Sequence, residues 1–252
     1  MSVRKVRDAL VLMGAFIALI WILQVFNWAD GYRLDLHFGI LPHHLDRLPE
    51  IFSAPFLHFS WQHIEGNTVP LFVLGVLAAY RGIKKFLLAT LIIAVVSGLA
   101  VWLFQSGNQL TVGASGLIFG YFGYVLTRGF FDRNLVDIGV GVVAGLLYWT
   151  ILQVAIPGNP GISWIGHLGG LLGGVLAAWV LRTRVPPSVA RGGWTTGLDR
   201  RTPRPSRPSV PGVPGVPGNG AAAPGHAPAT RPGHPGSQAA DDLLRELEEK
   251  GF

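Results

Sequence analysis

Long apolar stretches separated by short polar segments make up the first 185 residues of the chain. A helix needs about 20 apolar residues to cross about 30 Å of hydrocarbon, and shorter stretches can reach part of the way. The pattern predicts an all-α fold, a polytopic membrane bundle of six transmembrane helices. The six predicted spans are residues 9–28, 60–80, 86–104, 112–127, 138–156 and 162–181.

The first apolar stretch has the position of a signal peptide, but two features favour a retained span. It is longer than the usual apolar core of a signal peptide, and no A-x-A-like cleavage site follows it. We therefore expect residues 9–28 to remain as the first helix of the bundle.

The amino-acid composition of the chain changes after residue 185. Residues 186–240 are rich in Pro and Gly and include the repeat VPGVPGVPG at 210–218. Such a composition buries too little apolar surface to offset its ordering entropy, which predicts a disordered linker. Residues 241–252 read as a short acidic amphipathic tail. The predicted domains are thus the membrane domain 1–185, the linker 186–240 and the tail 241–252.

The amino-acid composition is typical of a membrane protein and excludes several kinds of functional site. Half of the residues are hydrophobic, 13% are charged and the mean hydropathy is +0.42. The absence of cysteine excludes disulfides, thiol nucleophiles and cysteine-ligated metals. The net charge of +6 does not point to nucleic acid, because the basic residues flank apolar stretches rather than forming a phosphate-binding face.

The distribution of Lys and Arg predicts the orientation of the bundle. With six spans, one side of the membrane receives 11 basic residues near span ends and the other receives two. Because Lys and Arg favour the cytoplasmic side, both termini are predicted to be cytoplasmic, in a multi-pass protein of the plasma membrane. The basic side receives residues 1–8, 81–85, 127–135 and 182–191.

Four polar residues lie where a membrane helix would prefer none. His63 and Asn67 are four apart and share a helical face near the start of the second span. Ser115 and His167 each lie about one turn into the fourth and sixth spans. All four are predicted at a similar depth, near the outer membrane surface, where they can converge.

Glycine can bring the fourth and sixth spans close together. Gly113 and Gly116 flank Ser115, while His167, Gly170 and Gly174 follow the spacing i, i+3 and i+7 on one side of a helix. Small residues let membrane helices approach closely. Packing alone explains the glycines but not a histidine on the packing face.

A serine beside a histidine points to nucleophilic catalysis. Serine is a weak nucleophile until a base takes its proton, and burial favours the neutral imidazole that can do so. No Asp or Glu lies near His167 in sequence, so a dyad with Ser115 is predicted. The oxyanion would be held by the backbone N–H groups at Ser115, where a helix begins, and by His63 and Asn67. Phe119, one turn after Ser115, can stack on the imidazole.

These motifs resemble those of the bacterial rhomboid intramembrane serine proteases. The similarity covers about residues 50–182, and its motifs are HIEGN at 63–67, GASG at 113–116 and His167 followed by Gly170 and Gly174. His58 also matches a recurrent histidine of the family, with an expected structural role. Two departures are that Phe119 stands where the family often has tyrosine, and that Tyr32-Arg33 is the nearest match to a first-loop Trp-Arg pair.

The resemblance implies an activity, a substrate class and a location. The activity is hydrolysis of peptide bonds in or near transmembrane segments of membrane-protein substrates, without metal or other cofactor. The catalytic pair would be Ser115 and His167, with His63 and Asn67 at the oxyanion. The partners would be these substrates and the lipid bilayer, and the active site would open to the extracytoplasmic side.

Two other classes of function are compatible with parts of the pattern. A metalloenzyme would use His58, His63, Glu65 and His167, but these lack the H-E-x-x-H spacing. A non-catalytic pseudoprotease or a transporter could also carry polar residues within the membrane. Such inactive relatives typically lose the serine or the histidine, and this chain keeps both.

Overall fold

The computed structural model of the chain describes residues 3–107, 109–156 and 163–183. Within these ranges the chain forms seven α-helices and three 3₁₀ segments and no β-strand. The predicted all-helical class is therefore confirmed. The linker 186–240 and the tail 241–252 lie outside the described residues.

The helices follow the apolar stretches of the sequence. The α-helices are α1 (Val3–Ala29), α2 (Arg33–Phe38), α3 (Trp61–Ala79), α4 (Ile83–Phe104), α5 (Ser115–Asp132), α6 (Leu135–Tyr148) and α7 (Trp164–Val180). The 3₁₀ segments are Leu45–Ile51, Ala54–Phe56 and Trp149–Ala155. Ser60 caps α3, because its side chain accepts a hydrogen bond from the His63 N–H over 3.2 Å.

Helix length alone supports fewer crossings than the hydrophobic pattern predicts. In the described part of the chain, α1 and α4 are the two helices long and apolar enough to cross a membrane. α6 and α7 are apolar but shorter. The count of six spans therefore stays a prediction.

The fourth predicted span, residues 112–127, begins and ends earlier in the chain than the helix α5 that the structure shows. α5 starts at Ser115 rather than at residue 112, so Ser115 occupies the first helical position and not the end of the first turn. α5 then continues to Asp132, and Arg128 lies buried inside it instead of in a loop. The helix accepts this arginine because Asp137 and Tyr80 provide buried partners.

The fifth predicted span is divided. The α-helix α6 ends at Tyr148, and the 3₁₀ segment Trp149–Ala155 takes the place of its last two turns. The start differs as well, because Asn134 caps α6 by accepting hydrogen bonds from the N–H groups of Val136 and Asp137. Local capping chemistry therefore sets this boundary three residues before the apolar run begins.

α5 is the central helix, packed most extensively against α7, which also packs against α4. A Cβ added at Gly174 would lie 1.9 Å from the Gly120 carbonyl oxygen, and one added at Gly170 would lie 2.1 Å from the Gly116 carbonyl oxygen. The backbones of α5 and α7 therefore touch at two successive turns. This contact fixes the position of α7 along α5.

A buried charge cluster joins three helices at the end of the bundle opposite Ser115. The Asp137 carboxylate accepts hydrogen bonds from Tyr80, Arg81 and Arg128, the last over 3.3 Å. Arg128 also donates to the Tyr80 hydroxyl over 2.8 Å. Because two guanidinium groups face the Asp137 carboxylate, its charge can be buried, and the cluster holds the start of α6 against α3 and α5.

The connection between α1 and α3 is organised by polar contacts. The Arg47 guanidinium donates hydrogen bonds to the carbonyl oxygens of Leu36, His37 and Gly39. One residue further along, Ile40 pairs with Thr111 in an isolated antiparallel bridge with two backbone hydrogen bonds of 2.9 Å. The first connection thereby holds the segment that leads into Ser115.

Asp35 is a buried acid in this connection. Its side chain is 1% exposed, and its Oδ1 accepts a hydrogen bond of 2.9 Å from Asn27 of α1. Burial raises the pKa of the Asp35 carboxyl from its usual 3.8 to about 6, and the Asn27 hydrogen bond opposes part of this increase.

Replacing Gly174 by alanine should strongly destabilise the bundle. The added methyl group meets a backbone carbonyl that cannot move aside, so we expect a loss of about 3 kcal/mol or more. Gly14→Ala is the matched control, because no described atom lies within 4 Å of its added Cβ. Thermal unfolding in detergent, followed by circular dichroism, should show a large drop for Gly174→Ala alone. Equal melting temperatures would contradict the packing described.

Asp35 should make the stability of the protein depend on pH. Because its folded pKa of about 6 lies above the unfolded value of 3.8, the folded state binds more protons between these pH values. Its contribution to stability is present below about pH 4 and is lost as the pH rises through 6. Asp35→Asn should raise stability at pH 7 by ~2–3 kcal/mol and leave it unchanged near pH 4, as measured by unfolding at both pH values. An equal effect at both pH values would exclude titration of Asp35.

Candidate active site

Ser115 is held at the beginning of α5 by an extended segment. This segment starts at Thr111 and reaches Gly113, whose N–H donates to the Ala54 carbonyl over 2.9 Å. Gly113 has a φ of +124°, a conformation that side-chain-bearing residues rarely adopt. The turn at Gly113 ends the extended run, and α5 starts two residues later.

His167 reaches Ser115 from the first turn of α7. Ser163 caps this helix by accepting a hydrogen bond of 3.2 Å from the Gly166 N–H. The His167 Nε2 then lies 2.9 Å from the Ser115 Oγ. The imidazole is 5% exposed, so the contact is largely shielded from solvent.

An aromatic ring fixes the orientation of the imidazole. The rings of Phe119 and His167 are stacked, with centroids 4.3 Å apart and planes 11° apart. Phe119 is itself 2% exposed and lies one turn after Ser115. Ser115 and the ring that stacks on His167 therefore belong to the same helix face.

His63 and Asn67 approach the same end of α5 from α3. A Cβ added at Gly113 would lie 2.7 Å from the His63 Cε1 and Nε2 atoms and 3.8 Å from the Asn67 Nδ2. Among the described residues the buried Asn67 Nδ2 has no hydrogen-bond partner. An unpartnered buried donor beside a helix N-terminus is suited to receive an oxyanion.

His58 lies fully buried just before α3, beneath this site. Its Nε2 accepts a hydrogen bond of 3.4 Å from the Ala114 N–H, next to Ser115. Its ring meets the His63 ring edge-on, with centroids 4.9 Å apart. Burial, together with the neighbouring His63, lowers the pKa of His58 to about 3, so its imidazole stays neutral and can accept this bond at ordinary pH.

Two polar residues that the sequence reasoning missed hold α7 near α4. The Ser97 hydroxyl donates to the Gly166 carbonyl over 2.8 Å, next to His167. Gln105 accepts a hydrogen bond from the Ser163 hydroxyl and donates one of 2.9 Å to the Thr111 hydroxyl. A serine inside the apolar run of α4 was a detectable signal, but its partner depends on which helix packs there.

A small cavity adjoins the serine and the histidine. Its volume is about 40 Å³, which is room for water, and Ser97, Ser115, Ser163 and His167 are among its lining residues. The described residues include no group of three or more His, Asp or Glu side chains that could hold a metal ion. The arrangement suits attack by a serine oxygen and subsequent entry of water.

The glycines near Ser115 have two different roles. Gly170 makes the close backbone contact between α5 and α7, as Gly174 does one turn further. Gly116 also faces α4, because a Cβ there would lie 2.3 Å from the Ser97 Oγ. A larger residue at Gly116 would push α4 and α5 apart within one residue of the nucleophile.

Comparison with known proteins identifies a matching family and several relatives. A family model described as the Rhomboid domain matches residues 46–184. An uncharacterized protein of Mycobacterium tuberculosis is 41% identical over 174 residues, which cover 66% of this chain and 72% of that protein. The rhomboid protease GlpG of Yersinia pestis is 32% identical over 133 residues, 50% of this chain and 46% of that protein. Rhomboid-like protein 11 of Arabidopsis thaliana is 28% identical over 154 residues, 56% and 55% respectively.

Shortening Phe119 should make Ser115 less reactive. Phe119→Leu removes the stacked ring, so the imidazole loses its orientation and labelling of Ser115 by a fluorophosphonate should slow by about 2–10-fold. Phe119→Tyr keeps the stack and should label at nearly the wild-type rate. Phe122→Leu, a buried residue of the same helix, controls for general loss of core packing. Equal slowing in Phe119→Leu and Phe122→Leu would show that stacking is unimportant.

Proposed function

Since this chain belongs to the rhomboid family, we propose that it is an intramembrane serine endopeptidase. It hydrolyses peptide bonds in or near transmembrane segments of membrane-protein substrates, and it uses Ser115 and His167 as a catalytic dyad. The main support for this proposal is the 2.9 Å contact between the Ser115 Oγ and the His167 Nε2. At that distance the base can take the proton as the oxygen attacks.

Acylation follows from this geometry. The Ser115 Oγ attacks the carbonyl carbon of the scissile peptide while its proton passes to the His167 Nε2. The resulting oxyanion is stabilised by the N–H groups at the start of α5 and by the side chains of His63 and Asn67. The C–N bond then breaks, and His167 returns the proton to the leaving amine.

Deacylation uses the same two residues, with water in the place of the leaving amine and with proton transfer in the opposite direction. A water molecule gives a proton to His167 and attacks the acyl carbon bound to Ser115. The ester C–O bond breaks, and the proton on His167 returns to the serine oxygen. The small cavity beside the two residues supports this step, because water must reach a largely shielded site.

The placement in the membrane is part of the proposal. The membrane domain contains the six spans predicted from the hydrophobic pattern. The excess of basic residues near one set of span ends supports cytoplasmic termini in the plasma membrane. The dyad lies at the opposite ends of these helices, so the active site opens to the extracytoplasmic side.

Active-site labelling tests the proposal directly. The purified full chain in detergent is treated with a fluorophosphonate, and the labelled peptide is identified by mass spectrometry. Ser115→Ala should abolish labelling, and His167→Ala should reduce its rate by roughly 10³-fold or more. Ser106→Ala, which removes an exposed serine, should have no effect. Wild-type cleavage of a reporter with one transmembrane helix should persist in a strong chelator.

The outcomes separate the proposal from its alternatives. Cleavage that stops with chelator and continues in Ser115→Ala would indicate a metalloenzyme. A folded wild-type protein that neither labels nor cleaves would indicate a pseudoprotease or a transporter. Circular dichroism of each variant establishes that loss of labelling is not loss of fold.

A further inference from the structure

A basic cavity lies at the end of the bundle away from Ser115. Its volume is about 400 Å³, and it lies where α3 ends and α4 begins, against the start of α1. The charged side chains that line it are those of Lys5, Asp8, Arg81, Lys84 and Lys85. We propose that this cavity binds the phosphate group of an anionic membrane lipid.

The charges of the cavity favour an anion. Arg81 is already paired with Asp137, and Lys85 donates to the Leu181 carbonyl and the Thr183 hydroxyl. Lys5 and Lys84 make no ion pair within the described ranges, so two ammonium groups are available. The carboxylate of Asp8 opposes an anion, although it also lies 3.4 Å from the guanidinium of Arg7.

The backbone adds donors to the same place. Gly82 precedes α4 with a φ of +138°, and in the described part of the chain no side chain caps this helix. The first N–H groups of a helix have no intrahelical acceptor and attract negative charge. Here the first turn contains two lysines and no acid, the reverse of what the helix dipole favours. A bound phosphate would satisfy both the N–H groups and the lysines.

The surface beside the cavity indicates that the phosphate belongs to a lipid. Lys84 lies on the same face of α4 as Leu87, Leu88 and Leu91, at spacings of three, four and seven residues. These three leucines are about half exposed, at 53%, 50% and 50%. An apolar stripe that starts at the edge of a basic cavity matches acyl chains attached to a phosphate headgroup.

Lipid binding by the purified full chain tests this inference. Native mass spectrometry in detergent would measure the dissociation constant for dioleoyl phosphatidylglycerol, with dioleoyl phosphatidylcholine as the uncharged comparison. One phosphatidylglycerol should bind preferentially. Lys5→Gln and Lys84→Gln should each weaken its binding about fivefold, and the double variant about 25-fold.

Two further variants keep the test decisive. Arg182→Gln removes one charge just after α7, outside the cavity lining, and should leave the affinity nearly unchanged. Asp8→Asn removes the opposing carboxylate and should tighten binding about fivefold, a gain that misfolding cannot produce. Equal weakening by Arg182→Gln and the two lysine variants would overturn the site in favour of diffuse charge attraction.

Competition identifies the source of the phosphate. Glycerol 3-phosphate should displace the lipid only weakly, because it lacks the acyl chains that cover the leucine stripe. Displacement at concentrations similar to those of the lipid, with the same dependence on Lys5 and Lys84, would support the phosphate site but assign it to a soluble ligand. No preference for phosphatidylglycerol over phosphatidylcholine, and no displacement, would refute the inference.

Discussion

The structure depends on the direct backbone contact between α5 and α7. Because Gly116 and Gly120 of one helix meet Gly170 and Gly174 of the other, the two helices are closer than any pair with side chains at these positions could be. A contact of backbone on backbone has little freedom to slide or rotate. It therefore limits how the first turns of both helices, and the side chains they carry, can move relative to each other.

The remaining parts of the site maintain what this contact establishes. Ser97 and Gln105 hold the start of α7 from the side of α4, through Gly166 and Ser163. His58 supports the backbone just before Ser115. Most of these hydrogen bonds satisfy groups that would otherwise be buried without a partner, which is why polar side chains are tolerated here at all.

The polar groups at the two ends of the bundle have different electrostatic surroundings. At the end with Ser115, the buried Asn67 Nδ2 has no partner among the described residues, and a small cavity adjoins Ser115 and His167. At the other end, Asp137 pairs with Arg128 and binds three helices together. The shared carboxylate of Asp137 ties the helices together at one end, while the Asn67 donor lacks a partner among the described residues at the other.

The helical class, the approximate position of the apolar helices and the residue types able to perform nucleophilic catalysis could be predicted from the amino-acid sequence, because hydrophobic period, capping and side-chain chemistry are local properties. The three-dimensional fold sets where α5 begins, since the pairing of Thr111 with Ile40 keeps that segment extended. It also decided that Arg128 lies inside a helix and that Ser97 contacts α7, because both outcomes depend on partners far away in the chain.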